Sequence, residues 1–131
     1  MNIKALTAAL ATAALLAACG TTAPTTSKPS TPTQASDGTL IGPNGRTLYT
    51  FARDVAGSGK SACVDTCAAN WPPLGVTPTA VPLGDYTIIT RADGSKQWAF
   101  KGLPLYYYVK DTKAGDKLGD GVAGNWKVAR P

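Results

Sequence analysis

The chain contains no histidine and no glutamate, and its single methionine is the first residue. Without imidazole it can assemble no Ser-His-Asp or Cys-His nucleophile system, no His-ligated zinc and no CxxCH haem attachment. Much ordinary hydrolase chemistry is thereby excluded. The missing glutamate removes a favourable helix former and leaves aspartate to supply all eight acidic side chains. What is abundant points the other way. Fourteen glycines and ten prolines punctuate stretches of Thr, Tyr and Val, a composition for strands joined by tight turns. At 131 residues there is room for one domain, expected to be all-β and mainly antiparallel.

The net charge of +5 is spread thinly. Basic residues run singly from Lys28 to Arg130 and form no tract, so solvated charge is expected and nucleic-acid binding is not.

The first 18 residues read as an export signal. Lys4 gives a positive start, and Ala5 to Ala18 form an apolar run of 14 residues, short of the roughly 20 that a membrane-spanning helix needs. The run ends in Leu16-Ala17-Ala18-Cys19, which resembles the lipobox of bacterial lipoproteins. That resemblance implies cleavage before Cys19, acylation of its thiol and a membrane anchored through lipid as the first partner. Gly20 stands where an Asp would imply inner-membrane retention, so the outer membrane, facing the periplasm, is implied for a Gram-negative source. Residues 20–36 hold six Thr, three Ser and three Pro, the composition of a tether with too little apolar surface to offset ordering it. Residues 19–36 are thus expected to be linker, and 37–131 the folded domain.

That domain aligns with itself. Gly45-Arg-Thr-Leu48-Tyr49-Thr-Phe51-Ala-Arg-Asp54 matches Gly102-Leu-Pro-Leu105-Tyr106-Tyr107-Tyr108-Val-Lys-Asp111, and Asn70-Trp71 matches Asn125-Trp126. The repeats are expected over about 39–74 and 96–129. In each, a strand (Thr39–Ile41, Lys96–Phe100) leads through a turn containing Gly45 or Gly102 to a second strand. Period-2 alternation puts Tyr49 with Phe51, and Tyr106 with Tyr108, on one face, with Leu48 and Leu105 on the other. Asp54 and Asp111 fall where the chain should turn, positions suited to accepting backbone N–H groups. A further hairpin pairs Tyr86–Thr90 with Lys96–Phe100 across Asp93-Gly94.

These residues resemble secreted bacterial lipoproteins with tandem Tyr-x4-Asp repeats, also written Yx(F/W/Y)xxD. Both Tyr49-x-Phe51-x-x-Asp54 and Tyr106-x-Tyr108-x-x-Asp111 satisfy the motif, and the Cys63 to Leu74 segment and Arg91-Ala-Asp-Gly94 look like the family too. The resemblance implies an envelope location and a two-repeat domain, but no activity.

Three candidate chemistries remain. Cys63 and Cys67, i to i+4 in an exported chain, are expected to form a disulfide over a helical turn within Cys63–Ala69, worth about 2 kcal/mol on the chain-entropy model. The alternative is a redox dithiol or Cu(I) site, although no His and no internal Met accompany it. The aromatics are expected mostly in the core, with Trp71, Trp98, Trp126 and above all Tyr107 as candidates for stacking on a glycan, peptidoglycan or an envelope protein. Asp111, Asp116, Asp120 and Asn125 suggest a Gly-Asp turn cluster more than a calcium loop, so no metal is assigned. No catalytic residue and no cofactor is assigned. The leading expectation is a non-enzymatic binding or structural module of the envelope.

Overall fold

The computed structural model describes residues 31–131; the signal segment 1–18, Cys19 and the tether to residue 30 lie outside the described residues. The described chain forms β1 (Thr33–Gln34), β2 (Leu40–Ile41), β3 (Tyr49–Phe51), α1 (Thr66–Asn70), β4 (Tyr86–Thr90), β5 (Lys96–Phe100), β6 (Leu103–Pro104), a 3-10 turn (Val122–Gly124) and β7 (Trp126–Val128). All named strand pairs are antiparallel: β1 with β2, β3 with β7, and β4 with β5 with β6. The expected all-β architecture, with one short helical turn, is the fold observed.

Turn chemistry sets the strand ends. Phe100 and Leu103 pair across Lys101-Gly102, and both turn residues have positive φ (48° and 82°), the geometry that closes a two-residue hairpin with the twist its strands need. Gly102 carries that angle without strain and also leaves room for the backbone of Gly57. The Asp93-Gly94 hairpin forms as expected, with Thr90 opposite Lys96.

A pseudo-twofold relation organises the rest. Tyr49 and Tyr106 exchange both backbone hydrogen bonds (2.8 and 3.0 Å), so the two motif strands meet at these residues. Around that point the bonds of the strand ladder in one half have counterparts in the other. Leu40 N–H donates to Ala129 and Trp98 N–H to Leu74; Ala52 N–H donates to Asn125 and Val109 N–H to Asn70. The closing strand of each repeat therefore lies against the motif strand of the other repeat. The halves are interlaced, not stacked side by side.

Strand alternation then yields two cores. Leu40, Leu48, Leu74, Trp98, Phe100, Leu105 and Ala129 form one; Tyr49, Phe51, Cys63, Trp71, Tyr106, Tyr108 and Trp126 form the other. The faces inferred from the period-2 pattern are the ones observed.

Two boundaries differ from expectation. The tether was expected to run to residue 36, but Thr33–Gln34 pair with Leu40–Ile41 as β1. Thr/Pro composition alone did not reveal this, because the segment orders through backbone bonds to a partner strand and not through its own apolar burial. Thr39, expected at the start of a strand, instead closes the β1–β2 turn, with its N–H on Asp37 Oδ1 (2.9 Å).

Candidate functional site

The motif residues sit at the centre of this interlacing. Tyr49 Oη donates to Asp111 Oδ2 (2.5 Å) and Tyr106 Oη to Asp54 Oδ2 (2.7 Å). Each tyrosine thus pairs with the aspartate of the other repeat. The second oxygen of each carboxylate holds a loop: Asp54 Oδ1 accepts the Ala62 N–H (2.6 Å) and Asp111 Oδ1 the Leu118 N–H (3.0 Å). The sequence placed a carboxylate at each turn; it did not show that the tyrosines cross over.

Between the motif strands lies a stack of four rings. Phe51 lies on Trp126 (centroids 4.3 Å apart), Trp126 on Trp71 (3.7 Å) and Trp71 on Tyr108 (4.1 Å). Tyr49 and Tyr106 meet Trp71 and Trp126 edge-on, at 5.4 and 5.2 Å. Such contacts add to the area these rings bury.

Burial governs the ionisation of these groups. It pushes the Tyr49 and Tyr106 hydroxyls well above their usual range, helped by the neighbouring carboxylates, and raises Asp54 above an ordinary aspartate. Two backbone or side-chain donors and the field of Arg91 oppose the shift at Asp54. A tyrosine held this firmly in its neutral form makes a good donor and a poor base. The two carboxylates do not share a site: each is closed by its own tyrosine and its own loop.

One half carries a further network that the motif did not announce. Arg91 is buried, with Nη1 donating to Gln97 Oε1 (2.7 Å) and Ser61 Oγ (3.0 Å) and Nη2 to the Cys63 carbonyl (2.6 Å). Ser61 Oγ in turn lies 2.6 Å from Tyr106 Oη. The sequence reading placed Arg91 in the family-like Arg91-Ala-Asp-Gly94 segment and gave its side chain no role. A cation immediately before an Asp-Gly turn, with a glutamine in the return strand, was the available signal.

Cys63 and Cys67 are joined (S–S 2.05 Å), with Cys63 fully buried against the aromatic core and Cys67 partly buried. α1 takes in Cys67 but not Cys63, and Asp65 between them has positive φ (53°), so the disulfide ties the start of the helix to the bend before it and does not span a helical turn as expected. In this state the sulfurs offer no thiolate to a soft metal.

The expected stacking shelf meets a different outcome. Trp71, Trp98 and Trp126 are buried, at 5, 0 and 4 % exposure, so their faces are spent on the core and none is open to a sugar. Tyr107 does point away from Tyr106 and Tyr108, as its phase required. It packs half-buried on the leucine core, over Gly42, and burial pushes its hydroxyl up to about 12.

The Gly-Asp segment is a set of turns. Asp116 Oδ2 accepts the N–H groups of Thr112 (3.0 Å) and Lys113 (3.3 Å), and Asp120 Oδ1 that of Val128 (3.2 Å). Asn125 passes its carbonyl to Ala52. Among the described residues no group of three or more His, Cys, Asp or Glu side chains could hold a metal ion.

Residues 31–75 and 87–130 each match the family described as a secreted repeat of unknown function. The chain belongs to that family. Each matched segment starts one strand earlier than the expected repeats at 39 and 96, taking in β1 and most of β4, which occupy equivalent places before β2 and β5. No curated protein and no solved structure matches the chain. The secreted repeat is therefore an interlaced pair of units whose shared motif residues lock one unit to the other.

Proposed function

We propose that this secreted-repeat protein is a non-enzymatic, lipid-anchored module of the cell envelope that binds or spaces a partner outside the membrane. The observation that carries the non-enzymatic reading is the crossed Tyr–Asp pairing. Both oxygens of each motif carboxylate are committed, and each motif tyrosine hydroxyl donates to the opposite repeat. A general base or nucleophile must reach substrate, and these groups are buried and hydrogen-bonded to one another and to their own loops. The motif is a folding device.

Support for the anchor comes from the sequence before residue 20 and from the secreted character of the family. An acyl chain partitions through burial of CH₂ groups, each contributing about 0.8 kcal/mol, and a Thr/Ser/Pro tether fully extended at about 3.1 Å per residue could hold the domain roughly 40–50 Å away. The outer membrane is the proposed site in a Gram-negative source.

The test is fractionation with intact-mass measurement of the full chain and of Cys19→Ala. The wild type should sediment with membranes, dissolve in detergent and carry the mass of acyl groups on a chain beginning at Cys19. The variant should stay soluble or keep its leader. A wild-type protein recovered soluble, without added acyl mass, overturns the anchored reading.

A further inference from the structure

The outer side of β4 is an open sheet edge. Bonds from Arg91 N–H to Ser95 (2.8 Å) and from Lys101 N–H to Asp85 (2.9 Å) fix the phase of the β4–β5 ladder. Thr87 and Ile89 therefore turn their backbone groups toward β5, while Tyr86, Ile88 and Thr90 turn theirs outward. Leu83 takes the outward groups of Tyr86, exchanging both bonds at 2.9 Å. The outer ladder stops there. Val81, next in line opposite Ile88, makes no bond to it, and among the described residues the outward N–H and C=O of Ile88 and Thr90 have no partner.

Natural sheets guard such edges with proline or charge. The first repeat does so. Both hairpins share one turn: Gly38 N–H donates to Ala35 (3.0 Å) as Gly94 N–H does to Arg91 (2.9 Å), and Asp37 and Asp93 each accept the N–H two residues on. Counted back from that turn, Pro32 holds the place of Ile88, so the first hairpin lacks the very donor that the second retains. β1 is also only two residues long, against five for β4. The β4 strand, Tyr-Thr-Ile-Ile-Thr, carries neither proline nor charge, and Val81 and Leu83 in the segment before it are 70 and 64 % exposed.

Two such edges fit each other. In an antiparallel pair about a two-fold axis at Ile89, Ile88 of one copy lies opposite Thr90 of the other, and each of the two pairs exchanges both bonds. All the open groups are then satisfied. A chain of net charge +5 repels its own copy over most approaches, and this strand is an uncharged place to meet. We propose that β4 is a self-association edge through which two copies join their three-stranded sheets into one continuous sheet. Lys96 reaches from β5 to the Thr90 hydroxyl (2.5 Å), so each copy brings one ammonium to the rim and the dimer is weak and reversible. The proposal goes beyond the envelope role above and needs no lipid anchor.

The test is thiol cross-linking of the full chain in intact cells, with the wild type as background. In the two-fold register Thr90 and its copy are diagonal neighbours about 8 Å apart, within a short bis-maleimide. Thr87 and its copy stand four residues out of step, about 13 Å or more apart. Thr90→Cys should therefore give a cross-linked dimer, while Thr87→Cys and, on the guarded edge, Gln34→Cys should not. Sedimentation of the detergent-solubilised full chain then measures affinity. Ile88→Pro transplants the guard, removes two of the bonds between copies and should weaken association about thirtyfold. Should that variant not fold, Lys96→Gln decides: it relieves repulsion at the rim and should tighten association about threefold. Absence of the Thr90→Cys dimer, an equal yield from Thr87→Cys, or weaker association of Lys96→Gln overturns the proposal. So does a Thr90→Cys product joined only to a different protein, which would mark the edge as a site for a foreign strand.

Discussion

Around Asp54, the loop that closes over the carboxylate carries the Cys63–Cys67 disulfide and receives the buried Arg91; around Asp111, the matching loop has neither and packs through glycine. The backbone bonds around the motif strands nonetheless correspond in the two halves. What duplication fixed is the set of groups that must be satisfied when two repeats interlace: the Tyr–Asp crossing, the ring stack and the strand exchange. The loops between Asp and the closing strand were free to find separate means of staying closed. One half uses a covalent link and charge, the other close packing.

If that contrast is right, the largest single effect should come from Arg91→Met. The substitution keeps much of the volume but leaves Gln97 Oε1 buried without its donor, takes the stronger of two donors from the Cys63 carbonyl, and removes the one cation that is buried among the described residues. Each buried acceptor left without its charged donor costs about 1–3 kcal/mol, a large share of the 5–15 kcal/mol typical of a domain. Urea denaturation of the full chain measures it. A loss under 1 kcal/mol would mean that the disulfide alone closes this loop.

The complementary probe in the other half is Gly119→Ala. A Cβ there would lie 2.7 Å from Trp71 Cη2 and 2.9 Å from Tyr49 Cε1, in the rigid ring stack. Overpacking of this kind costs about 1–3 kcal/mol. Gly75→Ala, where a Cβ meets nothing within 4 Å, is the control and should be near neutral. Equal denaturation midpoints for the two variants would refute the role given to close packing around Asp111.

The sequence made the skeleton legible because its signals were local. Asn44-Gly45, Lys101-Gly102 and Asp93-Gly94 marked turns, and alternation from Leu48 to Phe51 and from Leu105 to Tyr108 assigned both cores correctly. The repeats were visible as repeats. Their interlacing was not, since a strand carries no label saying which motif strand it will pair with. A pair in which the segment after Trp71 hydrogen-bonded to its own motif strand, and not to Leu105–Tyr107, would have had the same periodicity. β1 was missed for a related reason: two residues ordered by a partner strand leave no hydrophobic trace. Arg91 was missed because a charged residue beside an Asp-Gly turn is normally solvated, and only the fold shows it turned inward onto Ser61 and Gln97. Trp71 and Trp126 were readable as aromatic but not as partners, because residues 55 apart touch only after the halves cross.

The smallest expected effect tests whether the two crossings are equally tight. Burial holds the Tyr49 and Tyr106 hydroxyls protonated far above the usual tyrosine range, near 10, that applies in the unfolded chain. Between those values the folded state binds more protons than the unfolded state, so stability falls as pH rises through and beyond 10 and is unaffected below about 9. Tyr49→Phe and Tyr106→Phe should each flatten that alkaline decline by removing one such group, whatever they cost at neutral pH. Following tyrosinate absorbance alongside near-ultraviolet circular dichroism separates the alternatives. The part of the signal lost in each variant should appear only as the fold is lost. If the Tyr49 share emerges near pH 10 with native dichroism intact while the Tyr106 share does not, the Asp111 crossing opens by itself. The half without the disulfide and Arg91 would then be the looser of the two.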